Sequence, residues 1–305
     1  MTQHVEISYR QDVSAHAREH EPAVLMVHAF PFHSVLWGDV ASVVKYNWKA
    51  VRPDLMGFGE TPFNDACTIA EHAESIQRLI HKLGLGPCVI CGISMGGYVA
   101  MELARSAPNL VCGLMLLNTR AVADTPDQKR GRQRMIRLVK RSGTRRVVEQ
   151  LLPNLLSPAH YSAGGALLER VSLMMLDCPP TTIARACQAM HDREDCSEAL
   201  GDFDIPVSVV TGEHDAITPV EVVQPMHDCL SDSELRVIRD AGHLTVVEQP
   251  ELVALEIERL MGRVRRKNGG PNGFLEHARP TNVPSNLDGT GRMPPLAMPN
   301  GFRSY

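Results

Sequence analysis

The stretch Cys88-Val89-Ile90-Cys91-Gly92-Ile93-Ser94-Met95-Gly96-Gly97 restricts the fold of this chain more than any other. An apolar run too short for a helix enters a Gly-x-Ser-x-Gly pattern. A helical pattern over residues 95–107 follows at once and stops before Pro108. A strand that turns into a helix this abruptly needs small residues two before and two after the turn serine, because a Cβ at either place would collide with the crossing backbone. The serine is then held in a strained conformation with its hydroxyl pushed out of the sheet. The N-terminus of the following helix favours negative charge that develops beside it.

The rest of the chain has the same grain. Short apolar runs alternate with amphipathic stretches, which predicts a mostly parallel twisted sheet flanked by helices. Strands are expected at HVEISYR (4–10), AVLMVHA (23–29), KAVRPDL (49–55), CVICGIS (88–94), LVCGLMLLN (110–118), VSVVTG (207–212) and ELRVIRD (234–240). Several are apolar on both faces, as buried parallel strands are. Thr68 and Glu71 make a capping box for a helix that closes near Gly84. Between residues 120 and 200 the pattern is helical, rich in Arg, Leu and Met, with no strand; such an insertion reads as a cap or lid. The expected organisation is an α/β core over 1–119 and 201–262, a helical cap over 120–200, and a Pro-, Gly- and Asn-rich tail over 263–305 that is expected to be disordered.

Composition matters here for what it excludes. With 44% hydrophobic and 22% charged residues, net charge −4 and no long apolar run, neither a membrane span nor nucleic-acid binding is expected. The start MTQHVEISYRQD lacks a signal-peptide pattern, so a cytoplasmic location and reduced thiols are expected for the 8 cysteines. Cys88 and Cys91 form a CxxC inside an apolar strand, where two small buried side chains are expected rather than a redox pair. No metal or cofactor is expected.

A serine hydroxyl needs a base, and a serine on such a turn is followed in chain order by an acid and then a histidine. Of 13 histidines, those before Ser94 are excluded by order. His160 and His191 fall in the insertion, His227 on a helix face, His277 in the tail, and His214 beside the acid candidates. His243, in Asp240-Ala241-Gly242-His243 after a strand, is left as the base. Asp215 in VSVVTGEHDAITP is the acid placed to accept the imidazole Nδ1 proton, with Glu213 as the rival two residues earlier. Two backbone amides are expected to hold the developing oxyanion, Met95 N–H after the serine and Phe30 N–H in the loop after AVLMVHA. His28 is expected to be structural.

Together HAFPFHSVLW, RPDLMGFGETP, CGISMGGYVAMELA, IPVSVVTGEHDAITP and AGHLTVVEQPE resemble the α/β-hydrolase superfamily over residues 4–262. Asp54, Gly57 and Gly59 match its second motif, and Glu248 and Pro250 its last. Ala29 departs from the usual Gly; a positive φ there would cost about 1–2 kcal/mol. A serine nucleophile argues against the dehalogenase and epoxide hydrolase branches. The resemblance is nearest to small bacterial carboxylesterases and 3-oxoadipate enol-lactonase-like hydrolases. It implies cleavage of a small ester, lactone or thioester through an acyl-enzyme, without a cofactor. Acyl transfer, C–C hydrolysis and perhydrolysis use the same residues, and a ligand-binding module on a hydrolase scaffold is the non-enzymatic alternative.

Basic residues crowd the first part of the insertion. Arg130, Arg134, Arg137, Arg141 and Arg145 recur at helical spacing and predict one cationic face, opposite Met135, Leu138 and Val139. Such a face is either a solvated surface or a docking strip for an anionic acyl carrier.

Overall fold

In the computed structural model, which describes residues 5–15, 21–63 and 68–269, the apolar runs form one seven-stranded sheet. Its strands are β1 (Tyr9–Asp12), β2 (Val24–Val27), β3 (Ala50–Pro53), β4 (Cys88–Ile93), β5 (Val111–Leu117), β6 (Val207–Gly212) and β7 (Ser233–Ile238), in the spatial order β1-β3-β2-β4-β5-β6-β7. Every pairing is parallel except that of β1 with β3. The helices are α1 (Gly38–Val44), α2 (Ile69–Lys82), α3 (Met95–Ser106), α4 (Pro126–Leu151), α5 (Pro158–Ala163), α6 (Gly165–Leu176), α7 (Pro180–Asp192), α8 (Val220–Asp228), α9 (Thr245–Glu248) and α10 (Pro250–Lys267). No helix among the described residues is long and apolar enough to cross a membrane.

Alternation along the strands builds two cores. Leu25, Val27, Ile90, Leu114 and Leu116 face α2, α3 and α8, in one cluster with Ile76, Leu103 and Val223. Val24, Met26, Val89, Cys91, Met115 and Leu117 face the other way, onto Val40 and Val44 of α1 and Val253, Ile257 and Leu260 of α10. Both faces are covered, which is why these strands read as continuous apolar runs. Thr68 caps α2 as its spacing with Glu71 predicts, the hydroxyl accepting from Glu71 N–H at 3.1 Å and the carboxylate accepting from Thr68 N–H at 2.8 Å.

The structure departs from the sequence reading in three places. The first strand is Tyr9–Asp12, with His4 outside the described residues, because register is set by pairing with β3 and by the Arg52–Asp12 ion pair at 2.7 Å. The core does not end at residue 262: α10 runs on to Lys267, burying Val264, while Arg263 donates to the carbonyls of Val207 and Asp232 at 2.8 Å. The basic residues that read as the start of a tail are the last turn of a helix, where cations suit the C-terminal dipole. The remainder of that tail, 270–305, lies outside the described residues. The cationic face is also shorter than expected. At Gly143 the backbone leaves helical geometry (φ 74°, ψ 179°), so Arg130, Arg134, Arg137 and Arg141 share a face and Arg145 lies past a break.

Helices α4–α7 lie between β5 and β6. Asp124, fully enclosed, ties both ends of this insertion to the core. It accepts from Arg120 just after β5 (3.1 Å), from Arg132 on α4 (3.0 Å) and from Arg193 just after α7 (3.2 Å). The Arg193 guanidinium also stacks on Tyr98 of α3, 4.0 Å from the ring centroid. Removing the one anion leaves buried guanidinium groups without a counter-charge, a change that costs about 3–5 kcal/mol. Asp124→Asn is therefore expected to lower the unfolding free energy by about that much in urea titrations; a loss below about 1 kcal/mol would show that the knot does not hold the insertion.

Candidate active site

Strand order decides where a site can form. From β2 the chain crosses outward to β3 on one side and then returns to β4 on the other, so the loops after β2 and β4 diverge at the C-terminal ends of those strands, the place where open α/β sheets bind ligands. Ser94 follows β4 and Phe30 follows β2. Both are partly exposed amid buried neighbours.

Ser94 sits at φ 53°, ψ −115°, a conformation that non-glycine residues rarely adopt. Backbone crowding holds it there. A Cβ on Gly92 would overlap the Gly96 carbonyl, and one on Gly96 would overlap the Val27 carbonyl and lie 2.7 Å from that of His28. The two glycines let α3 begin directly against the end of β2. Further bonds lock the turn, from Ser94 N–H to Leu117 O at 2.9 Å and from the Thr119 hydroxyl to Ser94 O at 2.8 Å.

The Ser94 hydroxyl lies 3.0 Å from His243 Nε2, and His243 Nδ1 lies 3.0 and 3.1 Å from the two oxygens of Asp215. His243 and Asp215 are 2% and 3% exposed, so a carboxylate here must be satisfied by the protein. It is: Ile217 N–H (2.8 Å), Thr218 N–H (3.0 Å), the Thr218 hydroxyl (2.6 Å) and Asn118 Nδ2 (2.9 Å) all donate to it. Burial alone would raise the Asp215 pKa. The charge of His243 and the hydrogen bonds from His243, Thr218 and Asn118 outweigh it and hold the carboxyl well below the usual range. The group stays an anion facing Nδ1, an arrangement that favours the tautomer with its proton on that nitrogen.

Sequence reading gave Asn118 and Thr218 no role. Asn118 closes the apolar run of β5 and has φ 47°, which Asn tolerates better than most residues. Its amide is fully used: Nδ2 donates to Asp215 and to Gly242 O (3.3 Å), and Oδ1 accepts from the Thr245 hydroxyl at 2.7 Å. A carboxylate can only accept, so the amide orientation is dictated by Asp215. The one available signal was a polar residue at the C-terminal end of a central strand.

The two candidate amides lie on adjoining segments, since Gly96 packs α3 onto the ends of the 27–28 peptides. Met95 is the first residue of α3, where an N–H has no intrahelical acceptor. The Phe30 N–H is steered from behind. Ala29 O accepts from Phe32 N–H at 2.9 Å and lies 3.0 Å from His28 Nδ1. Because the peptide is planar and trans, fixing that oxygen turns the Phe30 N–H the opposite way. His28 Nε2 accepts from Leu55 N–H at 3.0 Å, so the ring is neutral with its proton on Nδ1. Ala29 is not among the described residues with positive φ, and the strain its substitution for Gly suggested does not arise.

Other candidates are placed elsewhere. Glu213, the rival acid, is exposed; it accepts from Asp240 N–H at 3.1 Å and neighbours His214. Glu213, His214 and Asp240 have ligand atoms within 4.8 Å of one another and are the described group that could hold a metal, on an open surface. Cys88 and Cys91 are buried in β4 as free thiols, and burial pushes Cys88 up to about 12 and Cys91 higher still, which keeps both unreactive.

A family described as the alpha/beta hydrolase fold matches residues 22–250. The chain is 24% identical over 239 residues to 3-oxoadipate enol-lactonase 1 of Acinetobacter baylyi, covering 78% of this chain and 88% of that one. It is 28% identical over 239 residues to a pimeloyl-[acyl-carrier protein] methyl ester esterase of Neisseria meningitidis, covering 76% and 89%. Among solved structures, a thermophilic esterase from Thermogutta terrifontis with malate bound superposes with a TM-score of 0.80 at 32% identity, over 85% of this chain and 94% of that one.

Buried imidazoles near the site tie stability to pH. Desolvation lowers His28 to about 4 and His72 of α2 to about 3, below the 6.5 of a free imidazole. Between pH 6.5 and those values the unfolded chain takes up protons that the native state refuses. The stabilisation is complete above pH 6.5 and declines as pH falls, by up to about 3 kcal/mol for His28 alone. Urea midpoints measured from pH 7.5 to 4.5 are expected to drop steadily, and His28→Gln should flatten the curve; a wild-type midpoint independent of pH would contradict the neutral, buried assignment.

Proposed function

Because the chain belongs to the α/β-hydrolase family, we propose that it is a serine hydrolase that cleaves a small carboxylic ester or lactone through an acyl-enzyme. The observation that carries the reading is the unbroken path from the Ser94 hydroxyl to His243 Nε2 at 3.0 Å and from Nδ1 to a carboxylate that five donor groups hold as an anion. The hydrolase names of its relatives support it.

In this reading Ser94 Oγ attacks the carbonyl carbon while its proton passes to His243 Nε2. The carbonyl π electrons move to oxygen, and the oxyanion accepts from Met95 N–H and Phe30 N–H, each such donor lowering the barrier by about 3–4 kcal/mol. Asp215 stabilises the imidazolium without taking its proton. Collapse expels the alkoxide, which takes the proton from Nε2; in a lactone it stays tethered to the acyl group. Water then attacks the acyl-enzyme with His243 as base, and the reverse collapse frees Ser94 and the acid. The methyl ester and the enol-lactone named for two relatives favour an ester or lactone as the substrate class.

An acyl carrier is the second element of the proposal. Arg134, Arg137, Lys140 and Arg141 are exposed on α4, and no ion pair to them occurs among the described residues. One relative acts on an ester held by an acyl carrier protein. Clustered surface cations draw an anionic carrier over about one Debye length, 8–10 Å at ordinary ionic strength.

Labelling by a fluorophosphonate, with turnover of p-nitrophenyl esters and an enol-lactone, tests the chemistry. Ser94→Ala is expected to abolish labelling and to lower kcat on the order of 10⁶-fold, and Asp215→Asn about 10⁴-fold. An unlabelled wild type would point to a binding module instead. For the carrier strip, raising salt should raise KM for an anionic ester and leave a neutral one unchanged; equal responses would remove that element.

A further inference from the structure

We propose that Glu248 is a positioning residue for His243, and that through it the start of α5 in the helical insertion holds the imidazole in line with Ser94. The inference rests on the serine-hydrolase reading and adds a residue that touches neither substrate nor the reacting atoms.

Glu248 ends α9, five residues after His243, and its side chain is completely enclosed. One oxygen accepts from Gly242 N–H at 2.7 Å. The other accepts from Ser157 N–H at 2.7 Å and from His160 Nδ1–H at 2.8 Å. Gly242 precedes His243. Leu244, which follows it, donates its N–H to Leu155 O at 3.0 Å. Both flanks of the imidazole-bearing residue are thus fastened to one stretch of the insertion, residues 155–160. Contact is close enough to dictate residue type: a Cβ on Gly242 would lie 2.5 Å from both Leu156 C and Ser157 N. Asn118, already bonded to Asp215, reaches the same loop through Gly242 O.

The chemistry of the junction requires a carboxylate. Three donors converge on Glu248 from two segments, and only a group that accepts at both oxygens satisfies them. In Glu248→Gln, one orientation turns the amide NH₂ toward Ser157 N–H and His160 Nδ1–H, and the other turns it toward Gly242 N–H. Either way donor meets donor, and one segment shifts. A displacement of the general base by about 1 Å costs on the order of 10²-fold in rate, with little effect on how the substrate is held.

His160 is the outward end of the junction, its side chain one-third exposed, and it draws Glu248 toward the insertion. His160→Ala therefore removes one of the three donors without opening a cavity in the core.

The test compares wild type, Glu248→Gln and His160→Ala by ester kinetics and by the NMR signals of the His243 ring nitrogens and the Nδ1–H proton shared with Asp215. Glu248→Gln is expected to lower kcat about ten- to a hundred-fold, leave KM within about twofold, and displace the ring signals. His160→Ala is expected to do the same to a smaller degree, about two- to fivefold in kcat, and it decides the matter if Glu248→Gln does not fold. Unmoved His243 signals with unchanged kcat in a folded variant would overturn the assignment. So would a loss confined to KM. A wild type without ester turnover would sink the hydrolase reading alone, because the ring signals still report whether Glu248 governs His243.

Discussion

The whole arrangement depends on a close approach of backbones. α3 begins against the carbonyl ends of β2, and it can do so only because Gly92 and Gly96 carry no Cβ. That contact forces Ser94 into its strained turn and sets Met95 N–H beside the loop that carries Phe30. It also places both at the one point in the sheet where the strand order reverses. Strain at Ser94 is sustained by the surrounding sheet, through Leu117 O and Thr119, rather than by any local preference.

A second constraint follows from burial. In the proposed mechanism the imidazole needs an anion behind it, and an anion out of water needs donors. Asp215 obtains them from the turn just after it and from Asn118 at the end of the neighbouring strand. His28 solves the opposite problem. It stays neutral in a fully buried place by giving one ring nitrogen to Ala29 O and the other to Leu55 N–H, so no charge has to be satisfied there. The Asp124 knot, which Arg193 links to Tyr98 of α3, shows the same rule, with three guanidinium groups gathered on one enclosed carboxylate.

The helical insertion is tied to the core by charge at its ends and by Glu248 in its middle. Ser157 and Glu248 are 91 residues apart in sequence, yet the carboxylate that joins them also accepts from Gly242, the residue before His243. Insertion and imidazole loop are therefore mechanically joined, and the insertion contributes to the geometry of the site as well as covering residues of the core.

Sequence periodicity was enough to locate six of the seven described strands and to mark residues 120–200 as helical without a strand, because apolar spacing and capping are local properties. The Gly-x-Ser-x-Gly turn was equally legible, since its steric demand falls on residues two positions away. Chain order and a neighbouring strand pointed to His243, to Asp215 with Glu213 as its rival, and to the Phe30 loop, each at the end of a recognisable run. Register and contact were not legible. The edge strand slid to Tyr9–Asp12 because β3 and Arg52 set its pairing, and the cationic face broke at Gly143, a glycine that periodicity counts as any other residue. The partnership of Asn118 with Asp215, 97 residues apart, and the three-way grip of Glu248 exist only once distant segments pack, and that is why tertiary structure alone decided them. Local sterics and hydrophobic spacing are written residue by residue along the chain; the satisfaction of a buried charge is settled by whatever the fold brings within 3 Å of it.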